Sequence, residues 1–401
     1  MELLFSVFLA VGGGAIALHL FIIGKALWYL KVTFPRQLRP YFKGKEETIF
    51  KEKPPVLVFI PCKGITEDFE NNIEMMLRQK YIRYEIIYVT ESMNDPAARV
   101  LSGHALKHSN LHHIIAGETT SCCQKNHNLL KGIDYASRNQ LPGEIYVFAD
   151  GDMCPDTHWL ENMILPLADH EVFAVSGFRR LLPKQKSFAG LQHAVFNAFL
   201  GMAIIDNRYA GMWGGSMALS RQMFEKYQVY QKWSTAMVDD TSLTWIIKKH
   251  NLVRIFSPDC IVYSREAYDT RKRVIDWFIR QTQYGANYLR RYVGFGILVN
   301  TMIAFVVWSL PVSVFLAFFQ IVSWDVVGYH VCLFVLSIIS FTLLMDFNRF
   351  NCTFLKWILY VPFFLLFGVY CGWTGFLSKR VIWANIVYHV NRNGEVLKVE
   401  R

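Results

Sequence analysis

The chain has 401 residues, 53% of them hydrophobic, with a positive mean hydropathy. That is too apolar for an ordinary soluble protein of this size and too charged for a pure bundle of membrane helices. Lys and Arg number 42 against 32 Asp and Glu, a net charge of +10, an excess that suits nucleic acid, anionic lipid or a phosphorylated substrate. The hydropathy pattern favours the membrane, and no nucleic-acid partner is expected.

The first apolar stretch, residues 3–24, has the length of a bilayer span. No basic residue precedes it, and Lys25, Lys31, Arg36 and Arg39 follow. It therefore reads as a retained anchor whose exit is cytoplasmic, not a cleaved signal.

Beyond it, short apolar runs alternate with amphipathic ones. Strands are expected at 54–61, 84–92, 112–117 and 144–150, and helices at 68–79, 95–106 and 124–138. Such alternation implies parallel strands with helices on the faces, an α/β doubly wound, Rossmann-like sheet. Ligands of such sheets gather at the carboxyl ends of the strands, where Lys63-Gly64, Glu91 and Asp150-Gly151-Asp152 fall. Neither GxGxxG nor GxxxxGK[ST] is present, which argues against a dinucleotide cofactor and a P-loop.

Two carboxylates one residue apart at a strand end repel unless a cation compensates them. Mg²⁺ or Mn²⁺ takes one or two carboxylates and fills its other positions with phosphate and water. D-x-D at this edge thus suggests a diphosphate held through a metal, although D-G-D is also a common turn.

Residues 188–206 are apolar with a few polar breaks, including His193. They read either as an interfacial helix beside the cleft or as a buried core helix. The segment GMWGGSMALSRQMF, 211–224, sets small residues beside Trp213, either a wall for a sugar or acyl group or a tightly packed loop and strand. Asp239 and Asp240 precede the helical run TSLTWIIKKH; one suits a helix N-cap, leaving the other for proton abstraction. In 277–295, Arg280 and Gln283 lie one helical turn apart, and Arg290 and Arg291 read as a juxtamembrane positive cluster.

Apolar stretches at 295–322, 328–346 and 354–377 follow, the first broken by Pro311 into either one kinked span or a tight hairpin. Three passes, the expected number, would place residues 379–401 outside, whereas Lys379, Arg380, Arg392, Lys398 and Arg401 argue for the cytoplasmic side. The expected organisation is an anchor at 1–32, a cytosolic domain at 33–292, membrane helices at 293–378 and a basic tail at 379–401. The eight cysteines contain no CxxC pair and are expected as reduced thiols.

In this order the motifs resemble the membrane-bound inverting glycosyltransferases of GT-A fold, most closely ceramide glucosyltransferases and their bacterial relatives. The matching residues are Pro61-Cys62-Lys63-Gly64, Glu91 ahead of Asp95-Pro96-Ala97, Lys125 with Asn128 and Leu129, Asp150 with Asp152, Asp239-Asp240, and Arg280 with Gln283-Tyr284. Glu91 replaces an aspartate of the family pattern, and Gln283-Tyr284 replaces Arg-Trp in its closing (R/Q)xxRW motif. The resemblance implies one in-line displacement on a UDP-sugar, UDP-glucose by family, with a lipid alcohol such as ceramide as acceptor. It gives Asp150 and Asp152 the metal, and Asp240 the role of base. Lys63, Glu91 and Lys125 fall to the nucleotide sugar, and Arg280, Gln283 and Tyr284 to the departing UDP. Trp213 and His193 are candidates beside the acceptor. It also implies a Golgi or bacterial inner membrane. A processive polysaccharide synthase of cellulose or hyaluronan type is disfavoured by the missing QxxRW and the few spans. A ligand-binding membrane subunit is disfavoured because three carboxylate stations converge on one edge.

Overall fold

Runs such as VLVFIPC and IYVFA bury both faces of a strand only inside a covered sheet. That is where they lie in the computed structural model, which describes residues 2–50, 52–181, 187–205, 211–264, 270–348 and 354–401. Two units make up the chain. A helical unit takes Met1–Trp28, Leu181–Asp206 and Arg265–Ser378, and a mixed unit takes Tyr29–Arg180, Asn207–Ser264 and Lys379–Arg401.

The mixed unit is built on seven strands: β1 (Val56–Cys62), β2 (Tyr84–Thr90), β3 (Leu111–Ile115), β4 (Ile145–Ala149), β5 (Val172–Leu181), β6 (Ser216–Ser220) and β7 (Val253–Ser264). Their order is β3-β2-β1-β4-β6-β5-β7. The first four in that order run parallel, with Val56 opposite both Tyr84 and Ile145. β6 runs antiparallel to β4 and β5, so the expected parallel sheet describes only half of the observed one. Helices Phe69–Leu77, Pro96–Ala105 and Gln124–Arg138 make the crossovers. Winding reverses between β1 and β4, which opens a crevice beyond their carboxyl ends.

Aromatic packing fixes what the crevice presents. Phe148 of β4 stacks on Phe59 of β1 (ring centroids 5.6 Å) and meets Trp233 edge-on at 4.9 Å. All three are fully buried, and the Trp233 indole also donates to the backbone oxygen of Asp239 at 3.1 Å. One side chain thus couples the core beneath β4 to the start of the helix Asp239–His250.

Residues 379–401, expected as a tail, form an antiparallel sheet: β8 (Arg380–Trp383), β9 (Ile386–Val390) and β10 (Val396–Glu400). Gly394 takes φ +76° at the β9–β10 turn, a region that favours glycine. Short alternating stretches such as IVYHV carry this fold, with Tyr388 fully buried.

Among the described residues, five helices are long and apolar enough to cross a membrane. The 295–322 stretch forms one helix, Arg290–Phe318, as far as residue 318, and that helix continues through Pro311 instead of turning back. Ser309 and Ser313 donate to the carbonyls of Val306 and Leu310 around that proline. The helix Phe188–Ile205 is buried along most of its length, including Gln192, His193 and Asn197, which matches the buried-helix alternative. Polar contacts inside this unit pair His19 with Ser340 (3.1 Å) and His330 with Ser313 (3.0 Å).

Candidate active site

β4 ends at Ala149, and Asp150 enters the following turn with its carboxylate 2.9 Å from Lys125 Nζ. Lys125 lies in the first turn of the helix Gln124–Arg138 and reaches a second carboxylate, Asp239 Oδ2, at 3.0 Å. Its ammonium is 19% exposed and Asp239 only 3%. Ionised groups this enclosed persist only when paired. Three separate elements therefore meet at one cation.

Asp239 and Asp240 open the helix Asp239–His250, and Val238 occupies the cap position. Neither aspartate is the N-cap expected from sequence. Both sit in the first turn, where unsatisfied N–H groups and the helix dipole favour negative charge. Asp240 Oδ2 accepts from Gly214 N at 2.9 Å and Oδ1 from the Thr241 hydroxyl at 2.8 Å. The Thr244 hydroxyl donates to Asp240 O and accepts from Met212 N, each at 2.8 Å, stitching 212–214 to the helix start.

The electrostatics separate the two working carboxylates. Burial raises the Asp150 carboxyl, but Lys125 and then Arg179 outweigh it and hold the group below its ordinary range. Burial, reinforced by the charge of Asp239 and only partly offset by Lys125, pushes Asp240 up to about 6. Burial alone would lower Lys125, yet Asp150, Asp239 and Asp240 raise it well above the usual lysine range. An ionised acceptor and a group poised near neutrality thus share one cluster, as acid–base chemistry requires.

Glycines make the approach possible. A Cβ on Gly214 would overlap the Asp239 carboxylate and come within 2.8 Å of Lys125 Nζ, and one on Gly215 would lie 2.6 Å from Asp150 Oδ2 and overlap the Trp213 ring. Trp213 therefore stands beside Asp150, its backbone N–H donating to the Ser176 hydroxyl at 3.0 Å. Asp152 pairs with Arg179 at 2.8 Å, and that guanidinium also lies 5.7 Å from the Trp213 ring centroid. Sequence reasoning missed Arg179. Its only signal is a basic pair, Arg179-Arg180, closing the apolar strand VFAVSGF.

At the other end of the edge, Glu91 follows β2 and pairs with Lys63 Nζ at 3.1 Å. A second partner, equally unexpected, is Arg401. Burial raises Glu91, but hydrogen bonds from Lys63 and Arg401 prevail and hold it below the usual carboxylate range. Gly64, at φ +73°, turns its N–H to Asp95 Oδ1 at 2.9 Å, and that oxygen also caps the helix Pro96–Ala105 through Ala97 N. The remaining expected residues belong to the helical unit. Arg280, Gln283 and Tyr284 lie on the helix Arg271–Tyr288, with Gln283 buried, and His193 packs edge-on against Trp277 at 4.4 Å.

Among the described residues no three His, Cys, Asp or Glu side chains form a metal cage. Asp150 and Asp152 can supply the one or two carboxylates that Mg²⁺ or Mn²⁺ takes when phosphate completes its shell. The residues present fit a divalent ion carried with a diphosphate, in place of an ion held by protein alone.

A parallel half-sheet wound 3-2-1-4 and a carboxylate turn after its fourth strand, faced by an acidic helix start, define a GT-A glycosyltransferase, an enzyme that transfers sugar. The chain belongs to glycosyl transferase family 21, whose model matches residues 15–396. Among solved structures it is similar to the mannosyltransferase PcManGT from Pyrobaculum calidifontis in complex with GDP-Man and Mn²⁺. The identity is 17%, the TM-score 0.49, and the match covers 91% of this chain and 99% of that one. It is also similar to GalNAc-T7 with UDP, GalNAc and Mn²⁺ (10% identity, TM-score 0.40, 59% and 51% covered). A third is the glucosyl-3-phosphoglycerate synthase from Mycobacterium tuberculosis in complex with phosphoglyceric acid (13%, 0.39, 63% and 84%). No curated protein matches the chain significantly.

Gly214→Ala forces the Asp239–Lys125 pair apart. Displacements of this order cost about 10²-fold in rate. Sugar transfer in the variant should fall by at least that factor and its thermal unfolding midpoint should fall with it, because a buried ion pair is parted, both measured side by side in detergent.

Proposed function

We propose that the protein is an inverting glycosyltransferase that moves a hexose from a nucleotide sugar, UDP-glucose by the family resemblance, to the hydroxyl of a membrane lipid such as ceramide. The observation that carries this reading is the Lys125 bridge between Asp150 and Asp239, with Asp240 beside it at about 6.

In this mechanism Asp150 and Asp152 would hold Mg²⁺ or Mn²⁺, which supplies positive charge at the departing diphosphate when bound. Lys63 and Glu91 seat the nucleoside at the β1–β2 edge. Lys125 keeps Asp150 ionised and holds both Asp150 and Asp239 in place, so their positions are set before the substrate arrives. Asp240 takes the proton of the acceptor hydroxyl at its free carboxylate lone pairs as the new glycosidic bond forms. Attack and departure occur on opposite faces of the sugar, so base and leaving-group carboxylates must come from separate elements. Asp240 on its helix and Asp150 after β4 meet that requirement. Trp213, packed on Gly215, offers an apolar surface for the sugar, and Arg179 beside it counters the charge on Asp152. Arg280, Gln283 and Tyr284 are assigned to the departing diphosphate, and His193 to the acceptor, on the motif resemblance alone.

The unit membership bears on the membrane. A folded unit occupies one face of a bilayer. The chain leaves the mixed unit after Arg180 and is back in it by Gly211, then leaves after Ser264 and is back at Lys379. Each excursion therefore crosses an even number of times. On this reading the helix Phe188–Ile205 does not cross, and the three helices from Arg290 to Leu377 include one that enters without traversing. The basic residues after the first anchor favour a cytosolic mixed unit.

The general base must be ionised, so kcat should rise with pH through about 6 and level off above it. Asp240→Asn should lower kcat by about 10²–10⁴-fold while UDP binds as in wild type; transfer that survives this change removes Asp240 as base. For the topology, cysteines introduced at the exposed positions Glu171 and Arg392 should both react with an impermeant maleimide from the same face of sealed vesicles. Labelling from opposite faces contradicts the even-crossing count.

A further inference from the structure

Besides a Lys232–Glu395 pair at 3.7 Å, the sheet β8–β10 meets the rest of the mixed unit at three places on segments that carry an active-site residue. At the first, Val396 N donates to Thr235 O at 2.8 Å and Met237 N to Gly394 O at 2.9 Å, so Ala236 pairs with Glu395 as in an antiparallel ladder. The opposite side of that loop is held as well: Ala236 O accepts from Cys123 N and from Asn126 Nδ2, both at 3.1 Å. Asp239 and Asp240 begin two residues after Met237. At the second place, the buried Tyr388 hydroxyl accepts from Gln124 N at 3.2 Å, at the start of the helix that carries Lys125. The third is Arg401. Its Nη1 bonds Glu91 Oε1, its Nη2 donates to Gln124 Oε1 at 2.7 Å, and its Nε lies 3.4 Å from Glu118 Oε2.

Gln124 is itself fully engaged. Its amide nitrogen donates to Gly117 O and to Asn128 Oδ1, each at 2.8 Å, and Asn128 donates to Val89 O in β2 at 3.2 Å. A planar guanidinium with two aligned donors is suited to join a carboxylate and a carbonyl oxygen in one fixed geometry, which an ammonium cannot do.

We propose that Arg401 is a positioning residue of the donor site: through Glu91 and Gln124 it fixes where the first carboxylate of the edge stands for the nucleoside, and the sheet β8–β10 exists to deliver it. The proposal rests on the donor reading above. With Lys63 as its sole remaining partner, Glu91 would be held by one flexible ammonium and would sample several rotamers before nucleotide arrives. The cost falls on binding, not on the chemical step. A plug that the nucleotide must displace would behave in the opposite way.

The test uses the full-length protein in detergent with Mn²⁺ and UDP as the probe, read by calorimetry, together with KM and kcat for UDP-glucose. Arg401→Ala should weaken UDP binding and raise KM by about tenfold, the scale of one lost charged hydrogen bond, with kcat nearly unchanged. Arg401→Lys should recover part of the loss, because it restores charge but not the fork. Arg392→Ala, an exposed position in the turn between β9 and β10, should match wild type. Unchanged UDP affinity in Arg401→Ala overturns the proposal, and so does tighter binding, which would mark the arginine as a plug. A parallel fall in kcat and in unfolding temperature overturns it in favour of a purely structural role. If wild-type protein itself fails to bind UDP, the donor reading falls first and this assignment with it.

Discussion

The site depends on an ammonium group held between two carboxylates that come from opposite ends of the fold. Lys125 reaches Asp150 at 2.9 Å and Asp239 at 3.0 Å while remaining largely enclosed. Removing one partner of such a pair leaves an unbalanced buried charge, at a cost of about 3–5 kcal/mol. That constraint explains the neighbouring sequence. Residues 214 and 215 must be glycine because any side chain would enter the space of the carboxylates. Trp233 must be large because it packs under β4 while its indole holds the backbone of Asp239. Residues 234–237 must be held on both sides, because a shift there moves the helix start and opens the bridge.

The same charge balance separates the roles of the acids. Asp150 is ionised because two cations face it, and Asp152 has Arg179. Asp240 is raised by its burial, reinforced by the charge of Asp239 and only partly offset by Lys125, so its proton is held more tightly. Two like groups thereby diverge in acidity through their surroundings alone. Glu91 stands apart at the β2 end of the edge, between Lys63 and Arg401.

Much of this was legible in the residues, and the limits have physical causes. The strands 54–61 and 144–150 and the helix 124–138 announce themselves because their pattern is local, and the helix appears with the expected bounds. Asp150 was findable because a buried strand seldom ends in two acids without a reason. The antiparallel β6 was hidden: SMALS is short, opens on two glycines and owes its place to β4 and β5, partners that no periodicity reveals. Arg179 and Arg401 were missed for the same reason, since each meets its carboxylate through contacts across 27 and 310 residues of chain. Positive charge at 379–401 was read as a membrane signal, whereas the alternation in IVYHV and the glycine at 394 point to strands and a turn. For Asp239 and Asp240 the first helical turn was recognised but the cap fell one residue earlier, at Val238.

If the carboxylates are already balanced by protein cations, a divalent ion has little to gain from the protein alone and becomes bound only when a diphosphate completes its shell. The direct measurement is a titration of Mn²⁺ into the purified protein, followed by electron paramagnetic resonance, without and with saturating UDP. The account predicts weak binding of the free ion and tight one-to-one binding once UDP is present. Tight capture of Mn²⁺ in the absence of nucleotide, or no change when UDP is added, would contradict the charge-balanced site on which the mechanism is built.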